Sequence, residues 1–159
     1  MGSWTDEDFL RGAIRLSIEK MQAGEGGPFG ALVVHDGQVV GRGWNRVTRA
    51  NDPTAHAEIE AIRDACRTLR TFRLTGCRLY SSCEPCPMCL AAIYWARIDC
   101  LWYAANRDDA ARAGFDDAWI AEQISRPLHH QSLRIHQTLR DEAVPAFEAW
   151  LRKTDRIEY

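Results

Sequence analysis

Two short runs of this chain hold residue types that can do chemistry together. The first is His56-Ala57-Glu58 and the second is Pro85-Cys86-Pro87-Met88-Cys89. One imidazole and two thiolates supply three of the four ligands of a tetrahedral zinc ion. Three protein ligands leave one position for water, the pattern of a catalytic site rather than a structural one. Glu58 is left outside that ligand set. A carboxylate beside a zinc-activated hydroxide can take the water's proton and deliver it elsewhere. Such a group suits hydrolytic attack on an amidine-like carbon with loss of ammonia. Blander readings stand beside this one. The cysteines and histidine could form a structural zinc knot or a non-catalytic zinc-binding module, and Cys83-Glu84-Pro85-Cys86 has the spacing of a redox pair. Cys83 reads as a small apolar residue before a helix, because a fourth ligand would close the site. Cys66, Cys77 and Cys100 read as core thiols, and His129, His130 and His136 as surface or packing residues.

The spacing also says where these residues must sit. Residues two apart do not face one side of a regular helix, so His56 and Glu58 can share a site only near a helix end. Cys86 and Cys89, three apart, are neighbours on a first turn, where the positive end of the helix favours thiolate. The surrounding pattern supplies such elements. Residues 5–22 read as an amphipathic helix that opens with Thr5-Asp6-Glu7-Asp8, a cap followed by acid. Residues 30–34 and 38–44 read as strands joined at Asp36-Gly37, a hairpin signal. Thr54 is placed to cap a helix over 55–69, and 85–97 reads as a helix with its prolines confined to the start. Strands are expected at 78–82, 99–104 and 133–139, and helices at 118–124 and 142–152. Strands alternating with helices after a hairpin predict a layered α/β domain. Residues 125–131 match no functional element.

Length and composition set the bounds. A chain of 159 residues is one domain. It is 46% hydrophobic and 26% charged, ordinary for a soluble globular protein. The longest stretch free of polar and charged residues runs from 87 to 96, about half of what a membrane span needs. The opening residues lack the blocks of a signal peptide, and Asp6 breaks the myristoylation pattern, so a cytoplasmic location is expected. Twenty basic against twenty-two acidic residues, with Lys20 and Lys153 the only lysines, argue against a nucleic-acid partner. Six unevenly spaced cysteines do not make a disulfide scaffold.

The pattern H-x-E…P-C-x-x-C is the signature of zinc deaminases that act on nucleobases. The chain resembles the cytidine-deaminase-like superfamily over residues 5–105, through Gly26-Gly27-Pro28-Phe29-Gly30-Ala31, Asn45, the run from Asn51 to Glu58 and the run from Ser82 to Cys89. More narrowly it is similar to the bacterial guanine deaminases. That similarity extends through Ile93-Tyr94-Trp95-Ala96-Arg97, Ala113-Gly114-Phe115-Asp116-Asp117 and the terminal Glu158-Tyr159. The resemblance implies a three-layer α/β/α domain around a mixed sheet of about five strands. It implies one zinc per subunit on His56, Cys86 and Cys89, with Glu58 as proton shuttle. Phe29 would stack on the base and Asn45 would hydrogen-bond to it. The Ala57 amide would help to hold it and Trp95 would form part of the wall. Asp117 would contact guanine and assist proton transfer near the leaving amine. The expected reaction is hydrolysis of guanine to xanthine and ammonia, with a guanosine or other nucleoside deaminase and a tRNA adenosine deaminase as the alternatives. A homodimer is also implied, in which a segment from about residue 125 to 159 is swapped and Tyr159 acts from the partner chain.

Overall fold

The computed structural model describes residues 4–159; the reading of the first three residues of the chain lies outside the described residues. The first helix, α1, spans Asp6–Gln22. Thr5 and Asp8 cap each other reciprocally, side chain to backbone, which satisfies two otherwise free N–H groups. The hairpin follows as β1 (Gly30–His35) and β2 (Gln38–Trp44). Asp36 and Gly37 both take positive φ, 48° and 74°, the geometry whose twist matches that of paired strands. A single turn, α2 (Val47–Ala50), leads to α3 (Ala57–Leu69), β3 (Cys77–Cys83), α4 (Pro87–Trp95) and β4 (Cys100–Ala105). The chain then runs through α5 (Arg107–Arg112), α6 (Ala118–Ser125), a 3₁₀ turn at Leu128–His130 and α7 (Arg140–Arg152).

The sheet order is β2-β1-β3-β4, antiparallel except for the β3–β4 pair, which is parallel. Alternation along the strands builds the layers. Ala31, Val33 and Leu79 face α3 and α4, with Ala57, Ala61, Ala65 and Ile93. Leu32, Val34 and Tyr80 face α1, with Phe9 and Ala13. The three-layer α/β/α architecture is therefore formed by four strands, where about five were expected.

The missing strand is the one expected at 133–139. That segment has no regular structure within the chain, and Leu133, Ile135 and Leu139 are exposed. Its alternating pattern is real, but strand pairing needs a partner edge, and none of the described strands pairs with it. Thr54 is a second correction. Asp52 accepts from both the amide and the hydroxyl of Thr54, at 2.8 and 2.7 Å, so Thr54 closes a local turn. The residue at the N-cap position of α3 is His56, whose side chain makes no capping bond. Cys100 is a third: it opens the outer strand and is exposed, whereas Cys77 is buried and Cys66 half-buried.

Candidate active site

Register brings one end of every strand together. Gly30 pairs with Trp44, Ala31 with Ser81 and Cys83 with Ala105. The segments leaving that end surround a cavity of about 590 Å³. Glycines bring the elements close. A Cβ on Gly43 would lie 2.0 Å from the Ala57 carbonyl oxygen, so only a bare backbone lets the start of α3 rest on β2. A Cβ on Gly26 would lie 1.9 Å from the carbonyl oxygen of Asn45.

His56 and Cys86 occupy the same position on two helices, the residue before the first turn, and neither side chain caps its own helix. Cys89 lies on the first turn of α4 and is fully buried. His56 Nδ1 is 3.6 Å from Cys86 Sγ and 3.5 Å from Cys89 Sγ, and all three donor atoms lie within 4.8 Å of one another. A tetrahedral zinc at ordinary bond lengths would hold nitrogen and sulfur about 3.6 Å apart, so the donor set fits that ion. The hydrogen bond from Cys89 holds the Cys86 thiol down to about 4, with help from His56. The same sharing pushes Cys89 up, and the hydrogen bond to Cys86 raises His56. A metal would displace those protons, because its ligands bind as thiolate and neutral imidazole.

Glu58 is buried, 6% exposed, and its Oε1 accepts from the Ser81 hydroxyl at 2.9 Å. Burial pushes its pKa above the usual carboxylate range. It lines the cavity next to His56 and Cys86.

Phe29, Asn45 and Asp117 line the same cavity. Asn45 Oδ1 accepts from the amides of Gly27 and Val47, at 3.3 and 3.2 Å, which fixes the side chain and leaves its NH₂ as the unused donor. The Phe29 ring meets Phe115 edge-on at 4.9 Å. Ala57 is fully buried, and its amide is among the free N–H groups of the first turn of α3. Trp95 and Tyr159 stand apart from this group. Both are exposed, their rings are 5.9 Å from each other, and neither lines the cavity of its own chain. Arg73 holds the C-terminus there by donating to the Glu158 carbonyl at 2.8 Å.

Lining residues to which the sequence reading gave no role in the site include Glu84, Arg107 and Phe115. Phe115 stood two positions from Asp117, in a run already quoted. Arg107 has no motif around it, and only its place directly after a strand end could have pointed to it.

The model of the cytidine and deoxycytidylate deaminase zinc-binding region matches residues 3–105. Guanine deaminase of Bacillus subtilis is 49% identical over 153 residues, covering 96% of this chain and 98% of that protein. Its X-ray structure superposes with a TM-score of 0.95 at 48% identity, over 98% of this chain and 99% of that one. A guanine deaminase structure from Nitrosomonas europaea gives 0.68 at 34% identity, over 72% of this chain and 66% of that one. A tRNA-specific adenosine deaminase of Aquifex aeolicus is 42% identical over 99 residues, covering 62% of this chain and 65% of that protein.

Proposed function

The chain belongs to the cytidine and deoxycytidylate deaminase family of zinc proteins, and from that premise we propose that it hydrolyses guanine to xanthine and ammonia. The observation that carries this reading is the near full-length correspondence with the Bacillus subtilis guanine deaminase. It spans 96% of this chain and 98% of that protein, with a TM-score of 0.95 between the structures.

His56, Cys86 and Cys89 would hold the zinc, which when bound supplies Lewis acidity that brings the pKa of a water close to neutral. The remaining work falls to the chain's own groups. Phe29 stacks on the purine, and the Asn45 NH₂ and the Ala57 amide donate to it. Asp117 accepts from its N–H groups, and these contacts orient C2 toward Glu58. Glu58 takes one proton from the attacking water and delivers it to the purine ring nitrogen, then carries the second, from the new C2 hydroxyl, to the departing amine. One C–O bond forms at C2, one C–N bond breaks, and ammonia leaves. Burial of Glu58 supports this role, since it raises the pKa of the carboxyl and so makes it a better acceptor for the water's proton.

The same reading makes the working unit a homodimer in which residues from about 125 to 159 cross to the neighbour. Leu128, Leu133, Phe147, Leu151 and Ile157 are each exposed in that segment, apolar side chains for a partner surface to cover. Tyr159 and Trp95 would then complete the partner's cavity.

The test is a parallel assay of zinc-loaded protein on guanine, guanosine, adenine, cytosine and cytidine, with ammonia and base product recorded. Conversion of guanine to xanthine is expected. Turnover of another substrate with guanine untouched would overturn the base assignment and keep the hydrolytic chemistry.

A further inference from the structure

Arg107 enters the cavity from a backbone that is held on both sides. It is the first residue of α5, and the caps made by Asn106 and Asp109 fix that turn. Its own amide donates to Glu84 Oε2 at 3.0 Å. Its side chain then places Nε 3.1 Å from Asp117 Oδ1.

Asp117 precedes α6 but does not cap it. Its neighbour Asp116 serves the start of that helix, accepting from the Ala118 amide at 2.9 Å. The Asp117 Oδ1 atom is shielded from solvent and accepts no aligned hydrogen bond. Its carboxylate therefore does not serve the start of α6, and among the described residues Arg107 is the cation paired with it. A half-buried carboxylate whose shielded oxygen meets one counter-charge takes its direction from that counter-charge.

We propose that Arg107 is a positioning residue, whose guanidinium sets the Asp117 carboxylate so that its other oxygen meets the N–H edge of the base. This rests on the guanine reading above. It assigns the discrimination among purines to the Arg107–Asp117 pair. A base that offers an acceptor where guanine offers N–H would meet a fixed anion and be refused, because the mismatch leaves the site's charge unpaired.

A double-mutant cycle tests this with zinc-loaded Arg107→Met, Asp117→Asn and the combined variant. In the natural background, Arg107→Met should raise KM for guanine on the order of tenfold or more, with a smaller change in kcat, since the Asp117 contact to the bound base is no longer held in place. In the Asp117→Asn background the same change should alter kcat/KM less than about threefold. Arg107→Lys should recover most of the loss. Equal losses in the two backgrounds would overturn the proposal, and so would an unchanged KM. If the unaltered chain leaves guanine untouched, the substrate reading fails on its own. The Arg107 Nε–H resonance then judges the pairing: a shift on Asp117→Asn supports it, and no shift overturns it.

Discussion

At Glu58 the chain accepts a cost that most folds avoid. A carboxyl group 6% exposed has one side-chain donor, Ser81, and burial that opposes its ionisation. That cost makes sense only if the proton is used. Glu58→Gln keeps the shape and removes the base, so turnover should fall by ~10²–10⁴ while zinc content stays at the natural level, measured by activity and metal analysis on one sample. Cys86→Ala should lose both, because it removes a ligand. Retained zinc in that variant would show that the donor set is wrong. Much of this was legible in the chain, because zinc ligands in two short runs keep their spacing wherever the runs fold. Arg107 was not legible. Its partner is ten residues away, and only the path of the chain from α5 to α6 brings the two side chains together.

Among the elements, the join between β2 and α3 decides where His56 and Glu58 stand. With 2.0 Å between a Cβ on Gly43 and the Ala57 carbonyl, Gly43→Ala must push α3 outward. Such overpacking typically costs about 1–3 kcal/mol. For a chain of this length that lowers the melting temperature by roughly 2–10 °C. Zinc affinity should fall as well, because the displaced helix carries a ligand. A second join ties α1 to β3. The Tyr80 hydroxyl and Arg78 Nη1 both donate to Asp6 Oδ1. Burial and the Asp6 hydrogen bond raise the Tyr80 pKa above its ordinary value. The folded pKa lies above the unfolded one, so this contribution is complete below about pH 10 and is lost as pH rises through the folded value. Followed by tyrosine absorbance, Tyr80 should titrate only as the protein unfolds in alkali, and Tyr80→Phe should remove that step. The secondary elements were read well where a cap or a turn residue marks them, as at Thr5 and Asp36-Gly37. They were misread where side chains compete, as at Thr54, and where a pattern needs a partner strand, as at 133–139.

For the whole molecule, the uneven distribution of apolar surface separates the compact first part from residues beyond about 118. α7 contains no buried residue, and Phe147 and Leu151 stand in the open. A segment of that kind is completed by a second copy under the swapped-dimer proposal. The proposal predicts complementation. Glu58→Gln chains and chains lacking Tyr159 should each be poorly active, and mixing them under conditions that exchange subunits should restore part of the turnover. In the mixed dimer, an intact Glu58 on one chain meets an intact Tyr159 from the other. No recovery on mixing, with exchange confirmed by sedimentation, would place Tyr159 in its own chain's site or outside any site. Composition alone could not reveal this, because an exposed leucine in a sequence looks the same as a buried one.

The two helices that begin at the site have given up their caps. At such a position a Ser, Thr, Asp or Asn would contribute about 1 kcal/mol by accepting from the first turn. His56 and Cys86 make no such bond and spend their donor atoms on each other and on Cys89. A bound ion would instead tie the starts of two helices together through its ligands, and removing it should loosen more than the chemistry. Chelation should speed hydrogen exchange at the opening turns of α3 and α4, with much smaller changes in α1, and lower the unfolding temperature. The metal in this fold would then be a folding contact as well as a reagent, and a cell short of zinc would hold a frayed protein as well as an idle one.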